Sequence, residues 1–348
     1  MASMTIQQVA RLADVSRSTV SRVLNNHPSV RPLVRDRVLR IIDEHDYAPQ
    51  AAARSLVRQQ SCVLGLLIPR SAAFIFSDPF FSGVIEGITA ACTRRGYILM
   101  LSMLTDAPGQ AFYQRILRSR HFDGVIMLSS DIDDPVLPLL LRDQTPLVLV
   151  GRHPFFQQVL SVDVANREGA RDAVLHLVGL GHQRIATITG PLQMAAALDR
   201  RDGYKQALLE AGLLIRPELL VEGDFTQQGG YQAMLRVLAL TPRPTAVFAA
   251  SDTMALGALR AMQEAGVVVP RDMALIGFDD LPITSFASPS LTTMRQPIYE
   301  MGTAAVDLLI DQLECPSSEP TRVCLPATLI TRDSCGGRVV QRTAQKSV

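Results

Sequence analysis

The chain has 348 residues, of which 47% are hydrophobic and 19% charged, and its formal net charge is +1. This length predicts more than one domain, and the composition excludes a disordered protein. No apolar run reaches the roughly 18–20 residues that a membrane-spanning helix needs, so we expect no membrane segment. The N-terminus lacks the pattern of a secretion signal, and the scattered cysteines lack metal-ligand spacing. We therefore expect a cytoplasmic protein with free thiols and with neither a metal nor a cofactor.

Basic residues are concentrated near the N-terminus. Up to Arg58 the chain contains nine arginines and five acidic residues, whereas the remainder is neutral or slightly acidic. Such a distribution is typical of a nucleic-acid-binding module attached to a domain with another role. A solvated helical surface would explain the same charges, so charge alone does not distinguish it from a nucleic-acid-binding module.

The first segment predicts three short helices within a domain of residues 1–48. Thr5 and Gln8 have the form of a capping box, in which Thr5 is the N-cap and Gln8 reaches back to it. Ser16 suits the N-cap of a second helix. A third amphipathic stretch directs its apolar side chains inward, namely Val34, Val38, Ile41 and Ile42.

The second of these helices has two distinct faces. Its apolar face carries Val20 and Val23, and its polar face carries Arg17, Ser18, Ser21 and Arg22. An arginine can bond two acceptors on guanine, and a serine hydroxyl suits bases or phosphates, so this face fits the major groove of DNA. A three-helix bundle that binds no nucleic acid would show the same periodicity.

The motifs of this segment resemble one known family. TIQQVARLADVSRSTVSRVLNN, followed by RDRVLRIIDEHDYAP and QAAARSLVR, is similar to the headpiece of the lactose-repressor and galactose-repressor (LacI/GalR) family. The resemblance implies that Arg17 and Ser18 are the main base-reading residues and that Arg22 also faces the groove. It implies further DNA contacts from Thr5, Ser16, Ser21, Asn25, Ala53 and Leu56. One departure is Arg31-Pro32, where the family usually has a capping serine or threonine.

Residues 49–60 are expected to form a hinge. The stretch from Gln50 to Arg58 is rich in helix formers, but a helix of about two turns is marginal alone in water. In the family such a segment folds when two copies meet on operator DNA and insert a leucine into the minor groove, and Leu56 stands at that position. A plain flexible linker is the alternative reading.

From Ser61 onward, short apolar runs alternate with helix-length segments. The runs are CVLGLLI, YILMLS, DGVIMLS, PLVLVG, RIATITG, TAVFAAS and DMALIGFDD. This alternation predicts parallel sheets that are buried on both faces. We therefore predict an α/β protein, with an all-α helix-turn-helix headpiece and a periplasmic-binding-protein-like sensor (61–340) of two doubly wound subdomains. The first subdomain is expected at about 61–161 and 292–320, and the second at about 162–291 and 321–340.

Ligands of open α/β sheets bind beyond the carboxyl ends of the strands, and seven residues are candidates there. These are Phe80, Phe81, Ser130, Arg200, Phe225, Ser251 and Asp279. Arginine and carboxylate groups bond adjacent hydroxyls, and aromatic rings cover the apolar face of a sugar or nucleobase. Ser251 could instead only cap a helix, Phe80 and Phe81 could be core residues, and Arg152 is left out as a surface residue. Arg200 (in DRRDGYKQAL) and Asp279 (in IGFDDL) also match ligand positions of the family, which the chain resembles up to roughly Arg332.

These observations predict a DNA-binding transcriptional regulator that is a homodimeric repressor on a palindromic operator and is controlled by a small-molecule effector. A sugar or sugar derivative is the favoured effector, with a purine-type co-repressor as the alternative. A solute-binding protein would share the sensor fold, but it would have no use for the basic module. An enzyme is disfavoured, because no nucleophile elbow, glycine-rich phosphate loop or His/Cys metal cluster is present.

Overall fold

The structure, a computed structural model, describes residues 4–24, 27–45, 61–103, 122–128, 131–316 and 319–337. The chain forms two compact units that divide between Cys62 and Val63. Within the described ranges, no helix is both long and apolar enough to cross a bilayer. All five cysteines fall in these ranges, and none of them is in a disulfide bond.

The first unit is a small helical domain. It contains α1 (Ile6–Leu12), α2 (Arg17–Leu24) and α3 (Pro32–Glu44) around a core centred on Val9, Val20 and Val38. The capping box is confirmed, since the Thr5 N–H donates to Gln8 Oε1 at 2.7 Å and the Gln8 N–H reaches Thr5 Oγ1 at 3.4 Å. Ser16 caps α2 by accepting the Thr19 N–H at 3.1 Å.

The second unit contains two six-stranded sheets. The first sheet has the strand order β11-β5-β4-β3-β1-β2, and all of its pairs are parallel. Its strands are β1 (Val63–Ile68), β2 (Ile98–Met103), β3 (Gly124–Leu128), β4 (Leu147–Val150), β5 (Leu160–Val164) and β11 (Arg322–Leu325). The described helices of this half are α4 (Ala72–Ser77), α5 (Pro79–Arg95), α6 (Val136–Arg142) and α11 (Ile298–Glu314), and α11 packs against α5.

The second sheet has the order β12-β10-β9-β8-β6-β7 and is parallel except for its β10–β12 pair. Its strands are β6 (Ile185–Thr189), β7 (Leu220–Glu222), β8 (Ala246–Ala249), β9 (Ala274–Asp279), β10 (Thr292–Arg295) and β12 (Thr328–Ile330). Its helices are α7 (Asn166–Gly179), α8 (Ala195–Glu210), α9 (Gln227–Leu238) and α10 (Asp252–Glu264). The predicted fold of a headpiece followed by two doubly wound halves is thus confirmed.

The chain crosses between the halves of the second unit three times. It crosses between β5 and α7, between β10 and α11, and between β11 and β12. The predicted subdomain ranges were wrong at these points. Strand β10 pairs in the second sheet rather than the first, and β11 pairs in the first sheet rather than the second. The boundary at 161/162 also cuts through β5, all of which belongs to the first sheet. The predicted boundaries miss the crossovers by a few residues because the short strands beside them, β5, β10 and β11, were not predicted.

The seven apolar runs named from the sequence are all strands, β1 to β4, β6, β8 and β9. The strands that the sequence did not reveal are shorter or more polar, and β5 (LSVDV) is the important one for function. Its apolar residues alternate with Ser161 and Asp163, so it lacks the continuous apolar run by which the other strands were identified.

Candidate functional site

The polar face of α2 lies on the surface of the first unit. Arg17, Ser18 and Arg22 are exposed and Ser21 is half-buried, while Val20 and Val23 are buried on the opposite side. Among the residues that the structure describes, neither Arg17 nor Arg22 has an ion-pair partner. The Ser18 hydroxyl lies 2.7 Å from that of Ser16, which fixes both near the start of the helix. This face offers uncompensated positive charge to an anionic partner.

The remaining headpiece residues are placed as follows. Thr5 is part of the capping box at the start of α1. Arg31 makes no side-chain cap and Pro32 occupies the first turn of α3, so the departure seen in the sequence leaves this helix without a capping hydroxyl. Asn25, Ala53 and Leu56 lie outside the described residues.

A cleft between the two sheets of the second unit is the candidate ligand site. It encloses about 830 Å³, including its open mouth. Its walls include the carboxyl ends of β3, β4, β5 and β9, the edge at which parallel sheets bind ligands. Six of the seven predicted ligand residues line it, namely Phe80, Phe81, Arg200, Phe225, Ser251 and Asp279. The seventh, Ser130, lies outside the described residues.

Arg200 and Asp279 form the polar centre of this cleft. Arg200 Nη1 lies 3.6 Å from Asp279 Oδ1 and donates to the Ala250 carbonyl at 2.6 Å, and Arg200 Nε donates to Asn166 Oδ1 at 2.8 Å. The guanidinium lies over the ring of Phe278, 3.8 Å from its centroid. Both charged side chains are about 95% buried, so each needs the other to offset its lost hydration.

Asp279 is held in a strained and desolvated position. Its φ is +127°, a region that residues with a Cβ rarely adopt, and such strain is concentrated at functional sites. Gln296 donates an amide N–H to its carboxylate, as does the backbone of Asp252 at 3.3 Å. Burial raises the pKa of Asp279 to about 7, against the lowering influence of Arg200.

Asp163, at the end of β5, is a cleft residue that the sequence did not single out. Its Oδ1 accepts the Val164 N–H at 2.8 Å and the Asn166 side-chain amide at 3.1 Å. Burial raises its pKa to about 6. Because Asn166 also accepts from Arg200, a continuous polar chain runs from Asp163 through Asn166 and Arg200 to Asp279.

Aromatic rings form the apolar wall of the cleft. Phe81 packs edge-on against Phe74 and Phe80, with ring centroids 5.7 and 5.6 Å apart. Across the cleft, Phe225 has a φ of +64°, and its ring fills the space that a Cβ on Gly190 would need. Phe74 lies on α4, a helix whose N-cap residue Ser71 accepts the Phe74 N–H. Rings in this arrangement can cover the flat apolar faces of a ligand.

Among the described residues, three polar contacts join the two halves across the cleft. Arg152 pairs with Asp199 on α8, the Thr253 hydroxyl donates to Asp78 Oδ1 at 3.3 Å, and the Ile132 N–H donates to the Gln193 carbonyl at 2.8 Å. The sequence predicts Arg152 to be a surface residue, whereas in the structure it lines the cleft. Such contacts depend on the angle between the halves.

Three of the predicted ligand residues lie on helices that follow the strands. Arg200 lies within α8, and Phe80 and Phe81 lie within the first turn of α5. Phe81 is 3% exposed and also belongs to the core of the first half. Ser251 caps α10, because its hydroxyl accepts the Met254 N–H at 3.2 Å. This is the helix-capping role that the sequence offered as the alternative to ligand binding.

Several lining residues had no signal in the sequence because they come from an unrecognised strand, the crossovers, the short helix α4 or the segments just before α5 and α8. They are Phe74, Asp78, Asp163, Asn166, Met194 and Gln296. Within the described ranges, no cluster of three or more His, Cys, Asp or Glu side chains has the arrangement of a metal site. The cleft offers hydrogen-bonding groups and aromatic rings to a ligand.

Comparison with known proteins matches both units of the chain. Residues 5–50 match the model of bacterial regulatory proteins of the lacI family, and residues 174–335 match a periplasmic binding protein-like domain. The chain is 38% identical to the HTH-type transcriptional regulator CelR of Thermobifida fusca over 332 residues, which cover 95% of this chain and 98% of the relative. It is 37% identical to the ribose operon repressor of Escherichia coli K12 over 333 residues, 95% of this chain and 99% of that repressor.

Solved structures agree with these matches. A CelR–cellobiose complex superposes with a TM-score of 0.77 at 37% identity and covers 95% of this chain and 99% of that one. A Lac repressor dimer bound to operator and the anti-inducer ONPF superposes with a TM-score of 0.84 at 28% identity, covering 96% of this chain and 99% of the other.

Proposed function

Because the chain belongs to the LacI family of bacterial transcriptional regulators, we propose that it is a homodimeric repressor whose affinity for a palindromic operator depends on a sugar in the cleft. The observation that carries this proposal is the pairing of two features within one chain. The α2 face presents Arg17 and Arg22 without ion-pair partners in the described ranges, and the second unit contains the Arg200–Asp279 cleft.

The α2 face supports the DNA-binding part of the proposal. Arg17 and Ser18 lie in the first turn of a helix of eight residues, whose start enters the major groove in helix-turn-helix proteins. Arg17 is long enough to bond two guanine acceptors, whereas Arg22, one turn later, suits a base or a phosphate. Two copies related by a two-fold axis would read two such half-sites, so the operator is proposed to be palindromic.

The cleft supports the effector part. The chain of Asp163, Asn166, Arg200 and Asp279 lays hydrogen-bonding groups along its floor, and phenylalanine rings cover its walls. Among the described residues, no partner takes up Arg200 Nη2, so this donor is left for a ligand. Hydroxyls on an otherwise flat ring match this alternation of polar and apolar groups. The relatives fit as well, since one is a ribose operon repressor and another was solved with cellobiose.

The crossovers supply a route from ligand to DNA. Asp163 and Asn166 flank the first crossover, and Gln296, which bonds Asp279, lies in the second. A ligand that bonds these residues therefore favours one angle between the halves over another. In a dimer, that angle sets how far apart the segments leading to the two headpieces lie. Such coupling is typically about 1–3 kcal/mol, which is roughly a 5- to 150-fold change in DNA affinity.

Fluorescence anisotropy with a labelled duplex from upstream of the protein's own gene tests this proposal. We expect a specific complex whose log affinity falls linearly with log salt, because each phosphate contact releases counterions. We also expect Arg17→Ala to weaken it far more than Arg40→Ala, which removes the same charge from α3. Equal losses in the two variants, or a complex insensitive to salt, would contradict the assignment of α2 as the reading helix.

A thermal-shift screen tests the effector part separately. A ligand at about 100 times its dissociation constant adds about 2.7 kcal/mol to the free energy of unfolding, which raises the midpoint measurably. We expect one or more members of a panel of sugars and polyols to do so. A response to purine bases alone would replace the sugar with a purine effector and leave the DNA-binding proposal intact.

A further inference from the structure

The two arginines that line the cleft are already neutralised by the protein. Arg200 faces the buried carboxylate of Asp279, and Arg152 is bound through Nε and Nη2 by both carboxylate oxygens of Asp199. Among the described lining residues these two are the only cations. An anionic group entering the cleft would therefore find hydrogen-bond donors but no uncompensated positive charge.

The cleft also holds two carboxylates that form no ion pair within the described residues. Asp78 and Asp163 each use Oδ1 for contacts within the protein, with Phe80 and Thr253 in the first case and with Val164 and Asn166 in the second. In the described part of the chain, the Oδ2 atom of each has no hydrogen-bond partner. These oxygens can accept from hydroxyl groups, whereas they repel a phosphate or a carboxylate.

We propose that the cleft selects an uncharged, polyhydroxylated ligand and rejects the phosphorylated and carboxylated forms of the same sugar, and that the Arg152–Asp199 pair enforces this choice. The proposal rests on the effector function proposed above and names the ligand's charge. The physical reason is that a desolvated anion is costly unless a cation is free to pair with it. Specificity then comes from an unfavourable contact with the competitor as much as from good contacts with the ligand.

Removing the negative charge of Asp199 should weaken the selection of the cleft against anionic ligands. Asp199→Asn keeps the shape of the side chain but removes the ion-pair partner of the Arg152 guanidinium, so the wall of the cleft becomes less negative by one charge. The matched control is Asp172→Asn, which disrupts an aspartate–arginine pair, with Arg171, on the surface of α7. The control should behave like the parent protein towards every ligand.

Calorimetry and thermal shift with matched sugar sets test the proposal. The probes are neutral mono- and disaccharides together with the 6-phosphate and the uronate of each. In the parent protein, we expect binding by at least one neutral sugar, with its phosphate and uronate weaker by about tenfold or more, since like-charge contacts oppose binding. In Asp199→Asn, we expect the phosphate to gain about tenfold in affinity relative to the neutral sugar.

The outcomes separate this proposal from the one on which it rests. An anionic form that binds the parent protein as tightly as its neutral counterpart would overturn the charge rule while leaving the effector function in place. No gain for the phosphate in Asp199→Asn would overturn the role of Arg152–Asp199. A protein that binds no sugar in any form, but responds to another compound, would refute the sugar effector and this inference with it.

Discussion

The two units use the same residue type in opposite ways. In the headpiece, Arg17 and Arg22 are exposed and, within the described ranges, unpaired, so their charge remains available for a polyanion. In the cleft, Arg200 and Arg152 each form an ion pair with an aspartate, so their positive charge is neutralised within the protein. An arginine's sequence position does not reveal which case applies. Its partners decide whether it attracts phosphate or presents hydrogen bonds to an uncharged ligand.

The largest effect that would sharpen this comparison is expected at Arg200. Arg200→Met removes the cation and leaves Asp279 buried without its counter-charge, which typically costs about 3–5 kcal/mol. Urea unfolding monitored on the second unit should report this loss. The neighbouring Arg201→Met should cost less than about 1 kcal/mol, because its pair with Asp202 is partly exposed. Similar losses in both variants would mean that the buried pair is not the centre of the cleft.

The double variant Arg200→Met/Asp279→Asn tests whether the uncompensated Asp279 carboxylate causes the loss of stability in Arg200→Met. It removes both charges, so it should be more stable than Arg200→Met alone even though it changes one residue more. If the second substitution added a further loss instead, Asp279 would not be the group left uncompensated.

The next prediction concerns the exposed arginines. Their replacement should lower DNA affinity and leave stability unchanged. Arg17→Ala removes a side chain with no partner in the described part of the protein, so the thermal midpoint should stay within about 1 °C. Its specific DNA affinity should fall by about 1–3 kcal/mol, the value of one good base contact. Anisotropy and a thermal melt on the same sample measure both. A large drop in midpoint would show that Arg17 supports the fold rather than DNA binding.

The third effect concerns Asp163 and depends on pH. Its pKa of about 6 lies above the unfolded value, so the folded state binds more protons and the contribution of this group to stability falls as pH rises from about 4 to about 6. Asp163→Asn removes the buried charge. The variant should therefore match the parent protein at pH 4 and exceed its free energy of unfolding by about 1–3 kcal/mol at pH 8. The same variant should bind the effector more weakly, since a carboxylate acceptor is lost.

The surface control Asp172→Asn should show no such pH-dependent gain. Unfolding midpoints measured from pH 4 to pH 8 provide the comparison. A constant difference between Asp163→Asn and the parent protein across this range would contradict a charge that is destabilised in the cleft.

How much the sequence revealed also differs between the two regions. The DNA-binding face could be predicted because its residues lie on one helix, where spacing alone places Arg17 and Arg22 on the side opposite Val20 and Val23. The cleft is assembled from segments more than a hundred residues apart. Arg200 and Asp279 were found through strand ends and the family resemblance.

Asp163 and Arg152 were missed for physical reasons. Asp163 lies on a strand whose alternating polar residues hide it, and recognising β5 by its period-2 pattern in LSVDV would have placed the carboxylate at a strand end. Arg152 follows a strand that was recognised, but its role depends on Asp199, which a helix on the other half supplies. No pattern within either segment predicts that pairing.

The central claim is that a ligand in the cleft controls the DNA grip of the α2 face. The most direct test measures operator affinity by anisotropy with and without a saturating neutral sugar, in the parent protein and in Asp279→Asn. We predict that the sugar changes the dissociation constant for DNA by roughly 5- to 150-fold in the parent protein and much less in the variant. An unchanged dissociation constant in the parent protein, under conditions where calorimetry shows the cleft to be occupied, would contradict the account.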